Sequence, residues 1–167
     1  MGASATTSAI RSSLEACDVR VNLFQVGQAR HVVSVLSGRE GSSEFVIMDC
    51  HGADGNILLP DLSEEIEARQ PFHGVLTADD LRSIVDLPGR TVLSTGCQTG
   101  NNELAQAFLD GGCDAYIGPA GGPFGHGALF AIVWIFYELT QMRSLDDAVA
   151  RLQRHDDEQA MWRLYRR

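Results

Sequence analysis

Basic charge is scarce in this chain of 167 residues: 13 Lys and Arg stand against 22 Asp and Glu, for a formal charge of −9 and a pI near 4.9. Phosphate backbones and anionic membranes call for clustered cations, so neither nucleic acid nor a membrane is an expected partner. Arg163, Arg166 and Arg167, near Trp162 and Tyr165, read as the solvated end of a terminal helix, since a binding tail usually needs a longer basic block. Long apolar runs are missing too. The longest, residues 128–137, is about half of the roughly twenty residues that span a bilayer, and it reads as a buried helix. Residues 1–13 are rich in Ala, Ser and Thr with the single Arg11, without the basic start and apolar stretch of a secretory signal.

Cysteine is sparse as well. Cys17, Cys50, Cys97 and Cys113 are widely spaced and form no CxxC pair, which excludes a disulfide scaffold and makes a reducing cytoplasm the expected setting. A zinc site from Cys50, His51 and Cys97 is set aside because adjacent residues at a strand end point to opposite faces. No metal or organic cofactor is expected. Internal repeats and linkers are absent.

What is present suits one ordinary domain, with 44% hydrophobic and 21% charged residues. Residues 1–167 are expected to form that single unit, with 1–18 a flexible or helical N-terminal extension. The alternating stretch VRVNLFQV at 19–26 predicts a strand, and residues 28–36 a helix ending at Gly38. Residues 44–49 form a short apolar run typical of a buried parallel strand. After a turn at 53–56, residues 57–59 predict a short strand that Pro60 stops; residues 61–73 carry no clear pattern. Thr77 is placed to cap a helix with Leu81, Ile84 and Val85 on its apolar face. A strand at 90–95 leads through a tight turn, 96–100, into a helix over 101–109 that Gly111 and Gly112 end. A strand at 114–118, a loop at 119–127 and helices at 128–142 and 145–165, the last capped by Ser144, complete the chain. Alternating strands and helices predict an α/β fold: three layers, a mainly parallel sheet with helices on both faces, and ligands gathered at the carboxyl ends of the strands.

Two of those strand ends carry reactive residues. His51, followed by Gly52, ends the strand at 44–49, and Cys97 lies between a strand and a helix. An imidazole and a helix N-terminus are the usual means of lowering a thiol pKa, so Cys97 has the sequence context of a nucleophile and His51 that of its general base and acid. The backbone N–H groups of Gly52 and Cys97 are placed to form an oxyanion hole.

The phrases around these residues, FVIMDCHG at 45–52, LTADDL at 76–81 and VLSTGCQTG at 92–100, followed by YIG at 116–118 and FYEL at 136–139, resemble in order those of clan CD cysteine peptidases. This is the caspase-like group, and the likeness is closest to its bacterial CHAT-type branch; it spans roughly residues 44 to 152. The resemblance implies a caspase-like fold, peptide-bond hydrolysis, a catalytic His51, an oxyanion donor in Gly52 and a nucleophile in Cys97. It further implies a protein or peptide substrate and association as a homodimer or with a partner protein. Three departures stand out. Gly96 replaces a common alanine, the loop at 119–127 lacks the usual tryptophan, and only one β-α unit precedes His51.

Asp49 and Asp54 flank the dyad and suit either a basic P1 residue or plain structural duty. The glycine-rich loop at 121–127 could cradle phosphate ahead of a helix, but it lacks P-loop spacing and reads better as a mobile flank of the cleft, with His126 a substrate contact. His31, His73 and His155 read as structural or solvated. Trp134 and Phe136, like Trp162 and Tyr165, read as core, and an aromatic stripe on the last helix would serve self-association. The alternatives to a peptidase are a caspase-fold regulatory module whose dyad is idle and, on the loop alone, a nucleotide-binding flavodoxin-like domain.

Overall fold

The computed structural model describes residues 4–41 and 43–167. Period-two burial builds the centre of the molecule. Strands β1 (Phe45–Met48), β5 (Thr91–Ser94), β6 (Ala115–Pro119) and β7 (Trp162–Arg166) form a sheet in the order β1-β5-β6-β7. The first three are parallel and β7 is antiparallel to β6. Side chains that alternate across a strand feed opposite faces. Val92 and Tyr116 belong to one apolar cluster, and Leu93, Ile117 and Trp162 to the other.

Helices α2 (Ala29–Leu36), α4 (Ala78–Ile84) and α5 (Asn102–Asp110) cover the first face; α1 (Ala5–Glu15), α6 (Gly125–Thr140) and α7 (Leu145–Leu152) cover the second. The result is a mixed α/β fold with a mainly parallel sheet and helices on both faces, as the alternation of elements predicts. A small antiparallel sheet, β2 (Gly52–Ala53), β3 (Asn56–Leu58) and β4 (Val75–Leu76), folds beside the carboxyl end of β1, and the one-turn helix α3 (Glu64–Glu67) lies in the stretch that showed no pattern. Among the described residues, no helix is long and apolar enough to cross a membrane.

Thr77 caps α4 in a full capping box with Asp80, and Ser144 caps α7 through the backbone N–H of Asp147. Within the expected N-terminal extension, Ala5–Glu15 form the helix α1, whose Ile10 and Leu14 are buried; residues 1–3 lie outside the described residues. Two expectations fail. Residues 19–26 form no strand: Val19 and Val21 pack on the second cluster while Leu23, Phe24 and Val26 stay exposed. Alternation records which residues meet apolar surface, but a strand also needs a ladder partner, and this segment has none among the described residues. The helix predicted for 145–165 ends at Leu152. Asp156 then accepts a hydrogen bond from Gln159 N at 2.7 Å and caps a single 3-10 turn, Gln159–Met161, from which the chain leaves as β7. That bond, followed by the side-chain bond from His155, holds the Asp156 carboxyl below its usual range. The terminal arginines therefore lie on or beside an edge strand, and His155 lies in the turn after α7. Trp162 is core as expected, and Tyr165 packs partly buried on the first cluster.

Glu138 of α6 is buried, 1% exposed, and bridges Arg143 at 2.6 Å and Arg151 at 3.6 Å. Both arginines reach water, so loss of the glutamate strands neither of them, whereas loss of Arg143 leaves the buried carboxylate with only the longer contact to Arg151 at 3.6 Å. Arg143→Ala is therefore expected to lower stability more than Glu138→Gln, by about 2 kcal/mol against about 1. Urea unfolding of the two variants checks the order.

Candidate active site at the carboxyl end of the sheet

β1 and β5 run parallel in register from Phe45 opposite Thr91 to Met48 opposite Ser94, so their next residues emerge side by side at one edge. On β1 these are Asp49, Cys50 and His51, leading into β2 at Gly52. On β5 they are Thr95, Gly96 and Cys97, leading to α5. Thr95 joins the two: its N–H donates to Met48 O at 3.0 Å, and its hydroxyl lies 3.2 Å from Cys50 N and 3.1 Å from Asp49 Oδ1. The structure thus brings His51, Gly52 and Cys97 to the same end of neighbouring strands.

The closest packing is between Gly52 and the Cys97 loop. A β-carbon on Gly52 would overlap the Cys97 carbonyl oxygen and lie 2.8 Å from Thr99 Cγ2, so only glycine fits. Gly52 faces Ile57 across the hairpin while Leu58 N donates to His51 O at 2.9 Å, a pattern that leaves the Gly52 N–H outside the ladder. Among the described residues, the Cys97 N–H has no backbone or side-chain acceptor either. Gly96 has a physical cause: a β-carbon there would lie 2.9 Å from Thr99 Cγ2 and 3.1 Å from Cys50 Sγ.

From below, Thr99 Oγ1 donates to Gly96 O at 2.7 Å, buried Tyr116 donates its hydroxyl to Thr99 O at 3.0 Å, and Tyr165 donates to Gly100 O at 2.8 Å. From above, two residues that motif reasoning passed over clamp the loop to the His51 hairpin. Gln98 Oε1 accepts from Asp54 N at 3.0 Å, and Asn101 Nδ2 donates to Gly55 O at 3.0 Å. Gln98 holds φ +60°, unusual for a side-chain-bearing residue. The signal for Asn101 was legible: it caps α5 by accepting from Leu104 N. Asn101→Ala is expected to remove about 1 kcal/mol of capping and to speed amide hydrogen exchange in the turn at 54–56. An unchanged exchange rate there would show that the clamp does not hold the hairpin.

Cys97 is partly exposed, and Gly122 of the loop between β6 and α6 faces it: a β-carbon on Gly122 would sit 3.6 Å from Cys97 Sγ. That loop is tied down where Gln98 N donates to Gly121 O at 2.8 Å, and α6 begins at Gly125, earlier than expected. Glu158 caps this helix by accepting from Phe124 N at 2.6 Å. Phe124, 70% exposed, stacks on His126 at 5.5 Å between ring centroids. The His51 ring is exposed and hydrogen-bonds to nothing among the described residues.

The flanking aspartates differ. Asp49 accepts from the hydroxyls of Ser4, Thr7 and Thr95 and so fastens the start of α1. The Asp54 carboxylate has no partner among the described residues. Burial pushes the Cys50 thiol up, and it pushes that of Cys113 to about 12 beside Asp114. Those thiols stay protonated at neutral pH, and Cys50 and Cys97 are both partly exposed while Cys113 is buried.

Fold and site together define a mixed α/β protein that gathers an imidazole, a tightly packed glycine and a part-exposed thiol at one sheet edge. No protein-family model matches this chain, and neither does any curated protein.

Proposed function

We propose that this protein is a caspase-like cysteine peptidase that hydrolyses a peptide bond through Cys97 and His51. The observation that carries the reading is the packing of Gly52 on the Cys97 carbonyl, which brings the His51 hairpin against the loop that holds a part-exposed thiol. In the proposed reaction His51 takes the Cys97 proton and the thiolate attacks the scissile carbonyl carbon. The N–H groups of Gly52 and Cys97 receive the developing oxyanion, and His51 returns its proton to the leaving amine. Water, deprotonated by His51, then cleaves the thioester and regenerates the thiol. No metal or organic cofactor takes part. A basic P1 side chain would meet Asp54, since Asp49 is already engaged. Four free cysteines suit a reducing compartment such as the cytoplasm, and a second copy or another protein is the expected associate.

One observation favours a second reading, a regulatory module with an idle dyad: the His51 ring has no group to orient it. A thiol-alkylating probe separates the two. The peptidase reading expects Cys97 to label at least about tenfold faster than Cys17, with that advantage lost in His51→Ala. It also expects cleavage in a peptide library that Cys97→Ala abolishes. Labelling of Cys97 at the rate of Cys17, with no cleavage, would leave the idle module.

A further inference from the structure

One edge of the main sheet is unguarded. Glu44 O and Met48 O accept from Thr91 N and Thr95 N, each at 3.0 Å, so the even-numbered residues of β1 turn their backbone groups toward β5. Alternation along the strand turns the N–H and C=O of Phe45 and Ile47 the other way, and among the described residues none of these four groups has a partner. Edge strands are commonly blunted by charge, proline or a bulge. β1, with the sequence FVIM, has none of these, whereas β7 at the opposite edge carries exposed Arg163 and Arg166. All four residues of β1 are partly exposed, while those of the neighbouring β5 are buried. Residues 19–26, which lead from α1 on the second face to α2 on the first, make no hydrogen bond to β1. Their Val19 and Val21 share the second-face cluster with Phe45 and Ile47, and Leu23, Phe24 and Val26 stay 36%, 46% and 41% exposed.

We propose that the β1 edge is a self-association surface, on which β1 of a second copy pairs antiparallel about a two-fold axis at Val46. In that register Phe45 of each copy lies opposite Ile47 of the other, and each such pair exchanges two N–H to O bonds. All four outward groups of each copy are thereby used. The side chains agree with the backbone: Phe45 meets Ile47 on the second face, an aromatic against a β-branched residue, and Val46 meets Val46 on the first. Both apolar clusters then continue across the join. Charge fits a second copy as well. Glu44 falls opposite Met48 and Asp49 opposite Ser43, so no carboxylate faces another despite the net charge of −9. Four strand residues alone bury little, and Leu23, Phe24 and Val26 supply further apolar surface. Antiparallel pairing points the carboxyl ends of the two β1 strands in opposite directions, so neither copy covers the other's Cys97. Self-association at this edge therefore does not rest on the peptidase reading.

Sedimentation of the full reduced chain between about 2 and 200 µM, with amide exchange followed residue by residue, tests the surface. The expected result is a rise from 18.1 kDa to twice that mass, with the Phe45 and Ile47 amides at least about tenfold slower to exchange at the higher concentration and the Val46 amide, which faces β5, changed far less. Ile47→Pro removes an outward N–H and no bond to β5, a substitution that edge strands accept, and should weaken association at least about tenfold. Phe24→Ser, at an exposed position, should weaken it severalfold without touching the sheet. A chain that stays at 18.1 kDa across the range overturns the proposal. So does a dimer that Ile47→Pro leaves as strong, or one whose Phe45 and Ile47 amides exchange equally fast at both concentrations.

Discussion

Replacing Gly52 with alanine is expected to destabilise the fold by about 3 kcal/mol or more and to abolish selective labelling of Cys97. The added β-carbon overlaps a carbonyl oxygen and sits 2.8 Å from a methyl on a buried threonine, with Asn56 O at 3.2 Å on the third side. Backbone can yield only by moving a segment, and both segments are tied. Leu58 N holds the His51 carbonyl, while the hydroxyls of Tyr116 and Tyr165 hold the Cys97 loop from beneath. The least constrained response is for the hairpin of β2 and β3 to lift, which breaks the Asp54 N to Gln98 Oε1 bond and carries His51 away from Cys97. Gly27→Ala is the control, because a β-carbon there meets nothing within 4 Å and should change stability by less than about 1 kcal/mol. Thermal unfolding gives the first quantity and alkylation rate the second. An alanine variant that melts with the control and still labels selectively at Cys97 would show that Gly52 does not set the geometry of the thiol.

The legible parts of the fold were those fixed by local chemistry. Thr77 and Ser144 are caps with side-chain oxygens at the right spacing, and each starts its helix where expected. β5 and β6 are buried along their whole length and lie where strands were read at 90–95 and 114–118. Failures came where an element depends on distant partners. Residues 19–26 have a strand's alternation without a ladder, and residues 162–166 have a helix-compatible composition yet pair with β6. The site divides the same way. His51, Gly52 and Cys97 were visible as strand-end residues, but their adjacency depends on β1 and β5 being neighbours, which no local pattern states. Gln98 was illegible, since its use depends on a left-handed backbone and on a turn some forty residues earlier.

Trp162 makes the non-local contribution measurable. It is fully buried at the start of β7 within the cluster on the second face, and it pairs with Pro119 at the end of β6. Trp162→Ala is expected to cost about 3–5 kcal/mol, as large-to-small core substitutions do, and to lower the melting temperature by about 10 °C. Trp162→Phe should lose less than about 1.5 kcal/mol, because the indole N–H has no hydrogen-bond partner and its removal sacrifices none. The consequence reaches the site. β7 carries Tyr165, whose hydroxyl holds Gly100 O, and the chain just before it accepts from Ala120 N at Met161 O, 2.9 Å away. A loosened β7 therefore frees both the Cys97 loop and the loop facing it, and amide exchange at Gly100 and Ala120 should accelerate in Trp162→Ala but not in Trp162→Phe. Equal exchange in the two variants would mean that the cysteine loop is supported by Thr99 and Tyr116 alone. The edge strand would then contribute to stability without bearing on the thiol.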